Sequence, residues 1–281
     1  MSEHRPALEH IQAYADHLRL EEKSAATVEK YLRDGRAFAR WLEGREITKE
    51  RTAAWKTHLV ERGYAPASVN AMLSALNSLL DFLGFGDCRV KFLKVQRRMF
   101  RDDSRDLTRS DYNALTAAAK AQNKTRLALL MEAICATGIR VSEVQYITVE
   151  AARAGRAEVA LKGKIRTILI PSKLCRKLLK YAKQQKTASG EIFLTRNGTP
   201  LSRRQIWAEM KGLCKTAGVA ASKVFPHNLR HLFAAAFYRA SRDIVKLADV
   251  LGHSSLETTR IYLLTSGAEH QRQLDRLGLV S

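Results

Sequence analysis

The sequence predicts a mainly α chain: a small N-terminal bundle of about four helices, then a larger, mostly helical domain with one small antiparallel sheet. Three observations predict this. Apolar residues recur at helical spacing from Ala7 to about Leu83, with few β-branched runs. A single stretch, AEVALKGKIRTILIP, alternates apolar and basic residues instead. The length of 281 residues suits two cores better than one.

Each element has a local reason. Leu8, Ile11, Tyr14, Ala15 and Leu18 form the first apolar stripe, and Ser24 suits the N-cap of a second helix carrying Val28, Tyr31, Leu32, Phe38 and Trp41. A third helix surrounds Trp55, Leu59 and Val60. After YAPAS, with Ser68 as the expected N-cap, a fourth buries Val69, Met72, Leu73, Leu76, Leu79, Leu80 and Leu83. Eight basic residues stand against three aspartates between Arg89 and Arg109, so residues 1–93 are expected to form one domain, 94–106 a charged linker and 107–281 a second domain. There, Thr108 caps a helix, TRLALLMEAICATG ends at Gly138, a hairpin turns at Gly163 and runs to Pro171, and SKLCRKLLKYAKQQ resumes helix. A short EIFLT segment and the turn RNGTPLS lead to the next helix.

Charge narrows the function. The 48 Lys and Arg against 28 Asp and Glu leave a formal charge of +20. Residues 1–100 hold 17 basic and 13 acidic side chains, residues 101–281 hold 31 and 15, so the second domain carries most of the field. That excess favours a polyanion, and no long apolar run or basic amphipathic helix points to a membrane. Cys88, Cys135, Cys175 and Cys214 lie far apart without zinc-type spacing and read as reduced thiols. The N-terminus lacks an apolar export region, so the expected location is cytoplasmic. No cofactor is expected, since neither a phosphate-cradling loop nor a magnesium-type carboxylate set is present in the sequence.

Three strings carry chemistry. In TGIRVSEV, Gly138 ends a helix, Ser142 is placed to cap the next, and Arg140 lies between them, where its planar fork suits two oxygens of one phosphate; alone, the string favours a surface arginine. In HNLRHLFA, His227 and Arg230 are three apart on one helix face and suit a joint phosphate grip, or a core histidine beside a salt-bridged arginine. His231 reads as pointing elsewhere, with a structural or solvent-facing role. In LGHSSLETTRIYL, His253 follows the helix end at Gly252, and Tyr262 lies nine residues on, after a new helix started by Ser254 or Ser255.

Taken in this order and with these gaps, the strings resemble the catalytic domain of the tyrosine recombinases, the lambda-integrase-like, Xer-type family. The match runs from about Leu107 to the C-terminus, and the N-terminal bundle is similar to that family's SAM-like core-binding domain. The resemblance implies a catalytic fold of the DNA breaking-rejoining type, and a site-specific recombinase working through a covalent 3′-phosphotyrosyl intermediate. Carried over, Arg140 is the first catalytic arginine, His227 and Arg230 the H-x-x-R pair, His253 the second histidine and Tyr262 the nucleophile. The family's hairpin lysine falls in LKGKIR, where a shortened turn leaves Lys162, the preferred residue, and Lys164 in competition.

Each implied role has a physical reason. A tyrosine phenol, ordinarily with a pKa of about 10, needs help to attack near neutrality, and arginines can meet the charge that gathers on the phosphate oxygens. A lysine on a hairpin suits delivery of a proton to the departing 5′-oxygen. Double-stranded DNA is the implied partner, with a homo-oligomer, a tetramer in the synapse, assembled on it. Because helix begins near residue 7, no separate arm-binding module is expected, which suits dimer resolution or integration and excision. A non-catalytic architectural DNA binder and a type IB topoisomerase-like nicking-closing enzyme are the alternatives.

Overall fold

A computed structural model describes residues 8–95, 103–161, 164–262, 271–272 and 275–278. The chain divides into two compact units, Met1–Arg97 and Arg98–Ser281.

The first unit is four helices: α1 (Leu8–Leu20), α2 (Ala25–Leu42), α3 (Lys49–Glu61) and α4 (Pro66–Phe82). Ser24 caps α2 as expected, its hydroxyl accepting from Thr27 N–H. Ser68 does not cap α4. Proline, with its fixed φ and missing N–H, opens that helix at Pro66, so Ser68 is already inside the first turn. Phe38, Trp55, Leu73 and Leu80 fill one buried cluster, while Tyr14 and Leu18 pack with Leu79 in another. Of the apolar residues that marked α3, Trp55 and Leu59 are buried and Val60 is exposed.

Two asparagines seven residues apart on α4 give this unit its C-terminal edge. The Asn77 side chain donates to Val90 O at 3.0 Å and accepts from Val90 N–H at 2.8 Å. Asn70 does the same with Leu93, at 3.0 and 2.8 Å. Each amide thus stands in for a strand neighbour, holding the extended segment against the helix before the basic run begins.

In the second unit, Thr108 and Asp111 form a capping box that starts α5 (Arg109–Ala121). Next, α6 (Thr125–Thr137) is buried on nearly every side and packs against α5. A short α7 (Val149–Ala154) leads into β1 (Arg156–Leu161) and β2 (Lys164–Leu169), an antiparallel pair in register from Arg156 opposite Leu169 to Leu161 opposite Lys164. Ala157, Val159 and Ile168 face the core while Ile165 and Leu169 face out, which is the period-2 signal seen in the sequence. The chain continues through α8 (Ser172–Gln184), α9 (Arg203–Lys211), α10 (Cys214–Ala217), α11 (Pro226–Ser241), α12 (Ile244–Leu251) and α13 (Leu256–Arg260). The EIFLT segment forms only isolated bridges, Thr148 to Glu191 and Leu194 to Pro200. Helix α11 packs on α6 and α12, which brings the ends of three helices together at one place. Among the described residues, no helix is long and apolar enough to cross a membrane.

Replacing Asn77 with leucine removes both partners of Val90 from a buried position. Urea unfolding should show a loss of about 2 kcal/mol; a change within the scatter of surface substitutions would contradict the strand-neighbour role.

Candidate active site

Three arginines from three different elements meet at the C-terminal end of α12. Arg166, on β2, donates to Val250 O at 3.3 Å; Arg230, on α11, donates to Leu251 O at 2.8 Å; Arg140, after α6, donates to Gly252 O at 3.2 Å. A helix leaves its last carbonyls without intrahelical partners and concentrates partial negative charge there, so this end attracts cations. Gly252 ends the helix at φ +64°, and a Cβ there would lie 2.4 Å from Arg166 Cδ, so only glycine leaves the arginine room.

The same principle recurs at α6. Its C-cap, Gly138, has φ +65°, and a Cβ there would come within 2.4 Å of the Phe233 ring. The Gly138 carbonyl accepts a second N–H from Arg230, which is 3% exposed. Arg230 therefore has two helix-end carbonyls and no carboxylate among its described hydrogen-bond partners; its charge is solvated by dipoles rather than cancelled.

Arg140 stands at the cap position of a 3₁₀ stretch, Val141–Tyr146. Ser142, expected to cap there, does not; Glu143 fills that role from the third helical position. Its carboxylate accepts the Arg140 backbone N–H at 2.9 Å and Arg140 Nη1 at 2.8 Å, and also takes an N–H of Arg166. Glu143 is 3% exposed. Burial pushes its pKa up, but these donors outweigh that and hold it below the usual carboxylate range.

Arg230 Nη2 also lies 3.0 Å from His253 Nε2, and His253 Nδ1 lies 2.9 Å from the Oγ1 of Thr259, which is fully buried. Arginine has only donors, so His253 Nε2 accepts and the ring proton sits on Nδ1. Burial, then the charges of Arg230 and Arg140, push the His253 pKa down to about 4. The ring is neutral at physiological pH.

Tyr262 completes the group just beyond α13, whose first turn is capped by Ser255. Its ring is 6% exposed, stacks on His253 with centroids 6.0 Å apart and planes at 13°, and meets His231 edge-on at 4.6 Å. The Tyr262 hydroxyl faces the Arg230 guanidinium, which burial and the Arg140 charge lower to about 10 and the tyrosine oxygen supports. His231 does not point elsewhere: at the fourth position after His227 it shares that residue's helix face, and their Nε2 atoms are 2.9 Å apart. Its surroundings and the Arg230 charge lower His227 from its ordinary pKa, leaving it neutral as well.

A cavity of about 660 Å³ opens over these groups, lined by Arg140, His227, Arg230, His253 and Tyr262, with Trp207 on α9 among its apolar walls. The structure thus brings together five of the six residues expected from the sequence. The sixth, Lys162, lies outside the described residues, and Lys164 opens β2 opposite Leu161. Glu143 and Arg166 were not expected. Glu143 leaves a signal as a carboxylate three residues after the capping position. Arg166 leaves one as a basic residue on the inward face of β2, two positions before Ile168.

Comparisons with known proteins give the family and the fold. Residues 105–268 match the model of the Phage integrase family, and residues 11–84 that of the Phage integrase, N-terminal SAM-like domain. A tyrosine recombinase XerA from Thermococcus kodakarensis is 29% identical over 282 residues, covering 97% of this chain and 95% of its own. A crystal structure of a lambda integrase (75–356) dimer bound to a COC′ core site has the same fold, with a TM-score of 0.73 at 20% identity, over 93% of this chain and 96% of the other. A lambda integrase tetramer bound to a Holliday junction gives 0.70 at 21% identity, over 89% and 76%.

Protonation of His253 would set a second donor against the Arg230 N–H. Its lowered pKa stabilises the folded state above the ordinary histidine value of about 6.5, and that contribution is lost as pH falls from there toward about 4. Imidazole NMR signals of His253 are expected to stay those of the Nδ1–H neutral form from pH 8 to 5; a midpoint near 6.5 would contradict the assignment.

Proposed function

This chain belongs to the phage integrase family and is a site-specific tyrosine recombinase, and from that premise we propose that Tyr262 attacks a DNA phosphodiester gripped by Arg140 and Arg230. The observation that carries the proposal is that Tyr262, packed on His253, lines one cavity with Arg140, Arg230 and two neutral histidines.

The chemistry balances without an external energy source. The phenolic oxygen bonds to phosphorus, the bond from phosphorus to the 5′-oxygen breaks, and a 3′-phosphotyrosine and a 5′-hydroxyl result. The phenolic proton passes to His227, kept neutral and hydrogen-bonded to His231. The departing oxygen takes a proton from the hairpin lysine, assigned to Lys162, with Lys164 the competitor. Arg140 and Arg230 meet the charge that grows on the nonbridging oxygens. His253 has both nitrogens engaged, so it orients Arg230 and backs the tyrosine ring. A 5′-hydroxyl from a partner strand then reverses the step and joins new neighbours.

Residues 1–93 are assigned to DNA binding, 94–106 to the linker and 107–281 to catalysis. Double-stranded DNA is the substrate, as in the lambda integrase complexes, and four protomers are proposed to assemble across two sites, as the lambda integrase tetramer does on a Holliday junction. The protein is placed in the cytoplasm, acting on cellular DNA. Its task is integration and excision or the resolution of dimers.

A nicked suicide substrate carrying the cognate site should yield a denaturant-resistant protein–DNA adduct that Tyr262→Phe loses entirely. An adduct surviving in that variant would refute the nucleophile. A supercoiled plasmid without the site should stay supercoiled; relaxation of any plasmid would indicate a topoisomerase. Sulfur in place of the departing 5′-oxygen makes a better leaving group that needs no acid. Lys162→Ala should therefore cleave the ordinary substrate slowly, by about 100-fold, and recover on the sulfur-bridged one. Recovery in Lys164→Ala instead would reassign the acid.

A further inference from the structure

Arg166 is the one member of the arginine trio that does not line the cavity. It lies on β2, the strand that leaves the hairpin turn, and its side chain is 14% exposed. Its described contacts run inward: one nitrogen to Val250 O and another to the Glu143 carboxylate. Both partners lead directly to groups that face the cavity. Glu143 holds Arg140 by two further hydrogen bonds, and Val250 lies two residues before Gly252, whose carbonyl takes Arg140, and three before His253. Gly252 itself leaves the space that the Arg166 side chain occupies.

Resting on the reading of this cavity as the recombinase site, we infer that Arg166 is a positioning residue: it fixes Arg140 through Glu143 and ties the catalytic hairpin to the helix end that carries Arg230 and His253. Two physical consequences follow from its place. The three guanidinium groups have one buried carboxylate among them, Glu143, paired with Arg140 and Arg166, so two positive charges remain for the phosphate; removing Arg166 would leave one. Without its N–H, Glu143 would also turn both oxygens to Arg140 and draw that side chain back from the cavity. Arg166 further adds to the positive field that keeps His253 neutral.

The test compares Arg166→Met, which keeps the length and apolar stem, with Arg166→Lys, which keeps the charge but loses the fork. Single-turnover cleavage of the suicide substrate should fall about 100-fold in the methionine variant, the scale of a displaced catalytic group, and recover in part with lysine. In an Arg140→Ala background the slope of DNA affinity against salt should be the same with and without Arg166→Met, since Arg166 itself touches no phosphate. A slope lower by about one counterion would make Arg166 a direct phosphate ligand and overturn the positioning role. In the DNA-free protein, the His253 imidazole should titrate at a higher pH in Arg166→Met than in wild type; an unchanged midpoint would count against the coupling. Should the methionine variant not fold, the lysine variant decides on the same readouts. An active wild type with an equally active Arg166→Met overturns this inference alone, whereas a wild type that forms no adduct overturns the reading of the site along with it.

Discussion

The three consecutive carbonyls of Val250, Leu251 and Gly252 each accept an arginine N–H, from β2, α11 and the loop after α6 respectively. Everything else in the candidate site hangs on that junction. A helix terminus offers several partial negative charges in fixed positions without an integer charge. It can therefore orient guanidinium groups and offset part of their desolvation while leaving their positive charge unspent. A carboxylate in the same place would orient them equally well but would neutralise the field a phosphate needs. Glu143 is the limited exception: buried, ionised and shared by two of the three arginines, it fixes geometry at the cost of one charge.

The histidines and the tyrosine follow from the same junction. Burial and the adjacent Arg230 cation together exclude a protonated imidazole, so His253 is driven neutral and into the tautomer that accepts from the arginine and donates to Thr259. That ring then offers a flat wall to Tyr262, with His231 closing the edge. The short α13 sets the distance: Ser255 starts it, Thr259 points inward to the histidine, and the chain leaves the helix with the phenol turned toward Arg230.

Much of this was legible in the sequence, for identifiable reasons. Gly138 and Gly252 marked the helix ends; the spacing of three between His227 and Arg230 and of nine between His253 and Tyr262 located the chemistry; and the alternation around Gly163 marked the hairpin. What was not legible depends on contacts distant in the chain or on competition among local signals. Ser68 looked like a cap, but Pro66 two residues earlier already satisfied the requirements of a first helical position. Ser142 looked like another, but the carboxylate of Glu143 reached back first. Adjacency to Arg230 made His231 seem to face away, whereas its spacing of four from His227 governs. Arg166 sat inside a string noted for its lysines, and its partners, Val250 O and the Glu143 carboxylate, come from elements distant in the chain.

Replacing the scissile phosphodiester with a neutral methylphosphonate measures most directly whether the charge at this helix end is left available for the phosphate. If it is, Arg230→Ala should slow cleavage of the charged diester by about 100-fold or more, and lose at least about tenfold less on the methylphosphonate. An equal loss on both substrates would contradict an unneutralised guanidinium acting on phosphate charge.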